Sequence, residues 1–144
     1  MLFRSARLKA LFGTRALPVL VPPWNRFAGE LLPLLPGNGM EGLSAMASRA
    51  GARLPPGLVA IDVHVDLVAW RDGRGFVGAA TALGGIVSHL RARRLGAADP
   101  AHPIGILTHH QIMDGPTAAF LGRLIELTRA HAATSWATVG ELLQ

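Results

Sequence analysis

No cysteine occurs among the 144 residues, which excludes disulfides and thiolate metal centres and leaves histidine and carboxylate as the only strong metal ligands. Tyrosine is also absent, and the three tryptophans, Trp24, Trp70 and Trp136, are far apart. No aromatic platform therefore interleaves with the basic charge, although the net charge is +5 and the pI about 11.5. The cations gather at Arg4, Arg7, Lys9 and Arg15, and at Arg91, Arg93 and Arg94, where the C-terminal end of a helix macrodipole already accounts for them. Nucleic acid is not an expected partner, and no phosphate-loop spacing is present. No apolar run reaches the ~20 residues that span a bilayer, so a membrane span is not expected. The acid-free start followed by Ala16 to Val21 superficially resembles a leader, but that run is short and holds Pro18. The compartment stays open, with the cytoplasm preferred over export.

What is present is apolar. Half of the residues are hydrophobic, 16% are charged, and the mean hydropathy is +0.35, too apolar for a disordered chain. The length suits one ordinary domain of ~100–200 residues. The excess of apolar side chains predicts surfaces that are covered by other chain.

Strand-like and helix-like periods alternate. Leu17 to Val21 reads as a buried strand ended by Pro22-Pro23. Phe27, Leu31 and Leu34 fit one helical face that Pro33 kinks or ends; Gly37-Asn38-Gly39 is a turn, and Arg49 to Gly57 an exposed connection. Val59 to Leu67 alternates for nine residues, Val59, Ile61, Val63, Val65 and Leu67 on one side and Ala60, Asp62, His64 and Asp66 on the other. A helix follows from about Phe76, with Phe76, Val77, Ala80, Leu83, Val87 and Leu90 as its apolar stripe. Ile104 to Leu107 reads as another buried strand. Asp114 is an N-cap ahead of Pro116, and Phe120, Leu121, Leu124 and Leu127 line a last long helix. The order strand, helix, strand, helix, strand, helix predicts an α/β fold with parallel crossovers. Three such units do not close a barrel, and an open sheet exposes an edge through which the chain can self-associate.

The polar residues that end the apolar runs are the candidates for chemistry, because in parallel α/β folds the C-terminal strand ends face the site. They are Pro22-Pro23-Trp24-Asn25-Arg26, His64-Val65-Asp66 and Leu107-Thr108-His109-His110. Each also has a plain structural reading. Trp24 after two prolines reads as a packing plug, Asp62 and Asp66 as loop caps, and either of the paired histidines as a hydrogen-bonded rim residue. A metal site of His64, Asp66 and His109 is conceivable, because His64 and Asp66 share a strand face, but such pairs are too common to specify one. His89, His102 and His131 read as surface residues.

In order and texture these segments resemble the C-terminal half of the NodB-type polysaccharide deacetylase domain. Pro22-Pro23-Trp24 resembles that family's third motif, with Val21 where an arginine is expected and Arg26 nearby. Asp66-Leu67-Val68-Ala69-Trp70 resembles the fourth, with Ala69 replacing an aspartate, and Leu107-Thr108-His109 resembles the fifth. The resemblance covers roughly Ala16 to Leu143 and about half of the family's domain. It implies that residues 1–144 form the later part of a distorted (β/α) barrel, incomplete here, with 1–15 a basic N-terminal segment and 16–144 the later strands and helices.

The resemblance further implies hydrolysis of N- or O-acetyl groups on an acetylated carbohydrate, with a divalent metal, usually zinc. His109 would be the general acid, Asp66 its orienting partner, and Trp24, Arg26, Trp70 and His110 the substrate-binding residues. The family's metal-holding motifs are missing: there is no Thr-Phe-Asp-Asp-Gly and no His-x-x-x-His, so no metal ligand is expected within these residues. The other reading is a non-catalytic module that binds glycan or completes a partner.

Overall fold

The computed structural model describes residues 2–46 and 54–144. They form a mixed α/β structure of short parallel strands and helices, which divides into two compact units, residues 1–62 with 138–144 and residues 63–137.

The first unit opens with α1 (Leu2–Phe12) and holds a parallel sheet in the order β1 (Val19–Leu20), β2 (Gly42–Leu43), β3 (Val59–Ala60). β2 carries a glycine because the side chains around it leave little room: a Cβ on Gly42 would lie 3.0–3.1 Å from side-chain atoms of Val19, Ile61 and Leu143. Between β1 and β2 the helix expected from Arg26 is instead a 3-10 segment, Gly29–Leu34, followed by another at Pro36–Asn38. Prolines 33 and 36 remove the N–H groups an α-helix needs. With three residues per turn, Leu32 and Leu35 share the inner face, while Leu31 and Leu34 point outward. Leu32 and Leu35 pack with Met40, Leu43 and Leu58 in the core of this unit. Of the connection expected over Arg49 to Gly57, residues 49–53 lie outside the described residues; Pro55 to Leu58 is a turn in which the Leu58 N–H donates to the Pro55 carbonyl at 3.2 Å. Residues 138–144 carry α4 (Val139–Leu142), opened by a capping box of Thr138 and Glu141.

The second unit pairs β4 (Val63–Asp66) in parallel with β5 (Gly105–Leu107), joined through α2 (Ala79–Arg94) and followed by α3 (Gly115–Arg129). The nine-residue strand expected over 59–67 is therefore two strands in two sheets. Alternation over 59–67 does not distinguish one long strand from two short ones when the intervening Ile61 and Asp62 keep the pattern. A second irregularity lies within β4: Val63 pairs Gly105 but Val65 pairs Ile106, so His64 is an extra residue bulged out of the ladder.

The core of this unit is Val65, Leu67 and Ala82, with Phe76, Val77, Ile86, Ile106 and Phe120 packed on it. Phe76 and Phe120 meet with ring centroids 5.1 Å apart, a spacing typical of favourable aromatic pairs. The face that α2 turns inward holds Ala82, Gly85, Ile86 and His89, not the expected stripe. Leu83, Val87 and Leu90 are exposed. Small residues win this face because β4 lies close beneath it: a Cβ on Gly85 would sit 3.1 Å from Val65 Cγ2. Asp114 caps α3 as expected, its Oδ1 accepting the Thr117 N–H at 2.8 Å. Leu127, assigned to the inner face of α3, is exposed. No helix among the described residues is long and apolar enough to cross a membrane.

Candidate functional site

The second unit brings together Asp66, at the end of β4, His109, two residues beyond β5, and Trp70, in the loop after β4. Parallel pairing sets Asp66 opposite Leu107, and the Leu67 N–H donates to the Leu107 carbonyl at 3.1 Å. The two strands thus end level with one another. After Leu107 the chain turns sharply: His109 has φ +50°, a left-handed conformation that non-glycine residues rarely hold, and its carbonyl accepts from the Ile112 N–H at 2.9 Å. Held this way, the imidazole Nε2 lies 3.1 Å from Asp66 Oδ2.

The loop carrying Trp70 is tied at both ends. The Val77 N–H donates to the Leu67 carbonyl and the Ala69 N–H to the Gly75 carbonyl, both at 2.9 Å, while Asp114 Oδ2 accepts from the Phe76 N–H at 3.1 Å. Asp114 is thereby both the cap of α3 and a clamp on this loop. Its carboxyl is held below the ordinary range, chiefly by the Thr117 hydroxyl and then by the Thr117 N–H.

Three donors converge on Asp66. Trp70 Nε1 donates to Oδ2 at 2.9 Å, the Val68 N–H donates to Oδ1 at 3.0 Å, and His109 contributes its Nε2. As an acceptor-only carboxylate, Asp66 selects the ring tautomer with hydrogen on Nε2, which leaves Nδ1 as the bare acceptor of the neutral ring. Trp70 also stands edge-on to His109, with centroids 4.8 Å apart and planes at 86°. The imidazole is thus held by a carboxylate and an indole. Side-chain exposures of 27% for His109 and 23% for Asp66 leave the pair reachable from solvent.

His110 is exposed beside this arrangement, so of the paired histidines it is His109 that meets Asp66. Trp24 and Arg26 belong to the first unit. Trp24 is 79% exposed, which rules out the packing-plug reading. Trp24 and Asn25 both have left-handed backbone, φ +56° and +53°, after the rigid Pro22-Pro23. Arg26 is exposed. A cleft of about 790 Å3 in the same unit, between α1 and the β1 segment, is lined by residues including Lys9, Arg15 and Glu41, and by none of the six candidates.

The reading of His89 and His102 as surface residues is corrected. His64 packs against His89 with centroids 3.9 Å apart and planes tilted at 47°, and meets His102 edge-on at 5.7 Å. His89 follows Ala82 and Gly85 on the inner face of α2, a spacing of three and four that a stripe drawn through Leu83, Val87 and Leu90 hides. His131 is exposed as expected.

The resemblance implies a zinc ion, and the described residues do not fit one. Among the described residues no three histidine or carboxylate side chains are grouped to hold a metal. Asp66 is engaged by three donors.

Compared with models of known protein families, with curated proteins and with solved structures, the chain matches none.

Proposed function

We propose that this chain carries the proton-delivering side of a polysaccharide deacetylase-type site and acts on an acetylated carbohydrate. The observation that carries the reading is the Asp66–His109 couple at 3.1 Å, with Trp70 bonded to the same carboxylate oxygen. The residues that meet are those that the resemblance to the fourth and fifth motifs singles out. The parallel β4–β5 pair with α2 between them is compatible with the later part of a (β/α) barrel.

When an amide C–N bond breaks in a tetrahedral intermediate, the departing amine needs a proton. His109, as imidazolium, gives its Nδ1 proton to that nitrogen while Nε2–H stays on Asp66, and the ring is left neutral. Asp66 fixes the tautomer and Trp70 fixes Asp66. His110, exposed beside His109, offers a donor to hydroxyl and carbonyl oxygens.

A second reading is favoured by a specific observation, the missing Asp-Asp-Gly and His-x-x-x-His motifs: the chain binds the glycan without cleaving it, or completes a partner that supplies those groups. Calorimetric titration with N-acetylglucosamine oligomers, with acetate release followed in parallel and with added zinc, separates the readings. Binding with acetate release that falls at least a hundredfold in His109→Ala supports the first. Binding alone supports the second, and no binding refutes the first together with the glycan-binding form of the second.

A further inference from the structure

His64 is the bulged residue of β4, and its displacement from the ladder has a chemical consequence. Its Nδ1 accepts the N–H of Gly105, the first residue of β5, at 3.1 Å. A side chain thus replaces a backbone acceptor where the pairing between Val63 and Val65 is irregular. Accepting that bond requires Nδ1 to be bare, so the neutral ring carries its hydrogen on Nε2.

The groups around this ring oppose a positive charge. On α2, His89 packs at a tilt against His64 and Arg93 lies one helical turn further on; in the connection to β5, His102 meets the ring edge-on. His89 Nε2 is buried with no hydrogen-bond partner among the described residues. Three carboxylates stand near in sequence: Asp62, buried in the first unit, Asp66, bonded to His109, Trp70 and Val68, and Asp99, which accepts the Ala101 N–H at 2.8 Å. Among the described residues Asp66 and Asp99 make no hydrogen bond or ion pair with His64 or His89. Burial, followed by His89, His102 and Arg93, pushes the His64 pKa down to about 4, and His89 is lowered by burial and then Arg93 and His102.

We infer that His64, with His89 and His102, is an acid-sensitive latch on β5: a proton taken up at Nδ1 removes the acceptor of the Gly105 N–H, sets cation against cation, and frees the start of the strand that delivers His109 to Asp66. No bond other than the N–H···N hydrogen bond is broken, and the proton comes from solvent. The link to His109 rests on the function proposed above, whereas the latch does not.

The test is a nuclear magnetic resonance titration of the full chain from pH 7.5 to 3.5, following the His64 ring and the Gly105 amide. The expected result is one shared midpoint near pH 4, with the Gly105 amide losing its hydrogen-bonded shift as His64 ionises. His64→Asn keeps an acceptor near the Nδ1 position but does not titrate, so Gly105 should hold its shift through that range. His89→Gln should move the wild-type midpoint upward by several tenths of a pH unit, which provides a readout should His64→Asn fail to fold. A His64 midpoint near 6.5, a Gly105 amide indifferent to His64, or an unmoved midpoint in His89→Gln would overturn the latch. The titration is run without glycan, so failure of glycan binding leaves its outcome unaffected. A further titration with N-acetylglucosamine oligomers reads the link to His109: binding lost in step with the Gly105 change supports it, and binding that persists below that midpoint overturns it.

Discussion

Gly84 and Gly85 are adjacent in the middle of α2, and replacing each by alanine tests the packing that sets Asp66 in place. Both substitutions bring the same helix-propensity gain, about 1 kcal/mol relative to glycine. Their surroundings differ. A Cβ at position 84 meets nothing within 4 Å, whereas one at position 85 lies 3.1 Å from Val65 Cγ2 and 3.7 Å from Cγ1. Val65 is buried, β-branched and therefore stiff about χ1, and its neighbour along β4 is Asp66. Overpacking of this kind costs about 1–3 kcal/mol. Gly84→Ala should therefore stabilise the chain by about 1 kcal/mol, while Gly85→Ala should leave stability unchanged or lower it by up to about 2 kcal/mol. Urea unfolding of the two variants beside the wild type measures the difference, provided the slopes agree. Equal stabilisation by both would refute the close approach of α2 to β4.

Other consequences follow from the same geometry. Leu67 is fully buried, so Leu67→Ala should cost about 2–5 kcal/mol in chemical denaturation. His64 is neutral in the fold, with a pKa lowered from 6.5 to about 4. Its contribution is fully present above pH 6.5 and is lost as pH falls from 6.5 toward 4, because the unfolded chain binds the proton first. The drop corresponds to at most about 3 kcal/mol, which solvent screening of this half-buried ring reduces to about 1–2 kcal/mol. Unfolding curves at pH 7.5 and pH 4 should differ by that amount more in the wild type than in His64→Asn. Asp114→Ala removes both the α3 cap and the clamp on the Phe76 N–H, and should lower the melting temperature while broadening the Trp70 indole resonance; an unchanged indole signal would sever Asp114 from the loop.

The meeting of Asp66 and His109 was legible because both sit where chain direction changes. Asp66 and His109 follow apolar runs, and parallel pairing with Leu107 opposite Asp66 suffices to bring them together. The Asp114 cap was legible from the acid three residues before Thr117 and from Pro116. Other features were hidden by geometry that periodicity does not encode. The inner face of the segment around Leu32 follows a three-residue repeat imposed by prolines. The inner face of α2 is built from alanine and glycine, so its large apolar residues point outward and mask His89. The bulge at His64 leaves the apolar–polar alternation intact in the sequence while moving the ring to the Gly105 N–H.

The central claim is that Asp66 holds the His109 Nε2–H so that Nδ1 serves an acetylated sugar. Long-range 1H–15N spectra of the His109 ring, recorded with and without N-acetylglucosamine oligomers, address it directly. The account predicts a protonated Nε2 and a bare Nδ1 in the free neutral ring, with the Nδ1 resonance moving saturably as oligomer is added and the Nε2 assignment lost in Asp66→Ala. A proton on Nδ1 in the free ring, or a His109 spectrum unmoved at saturating oligomer, would contradict it.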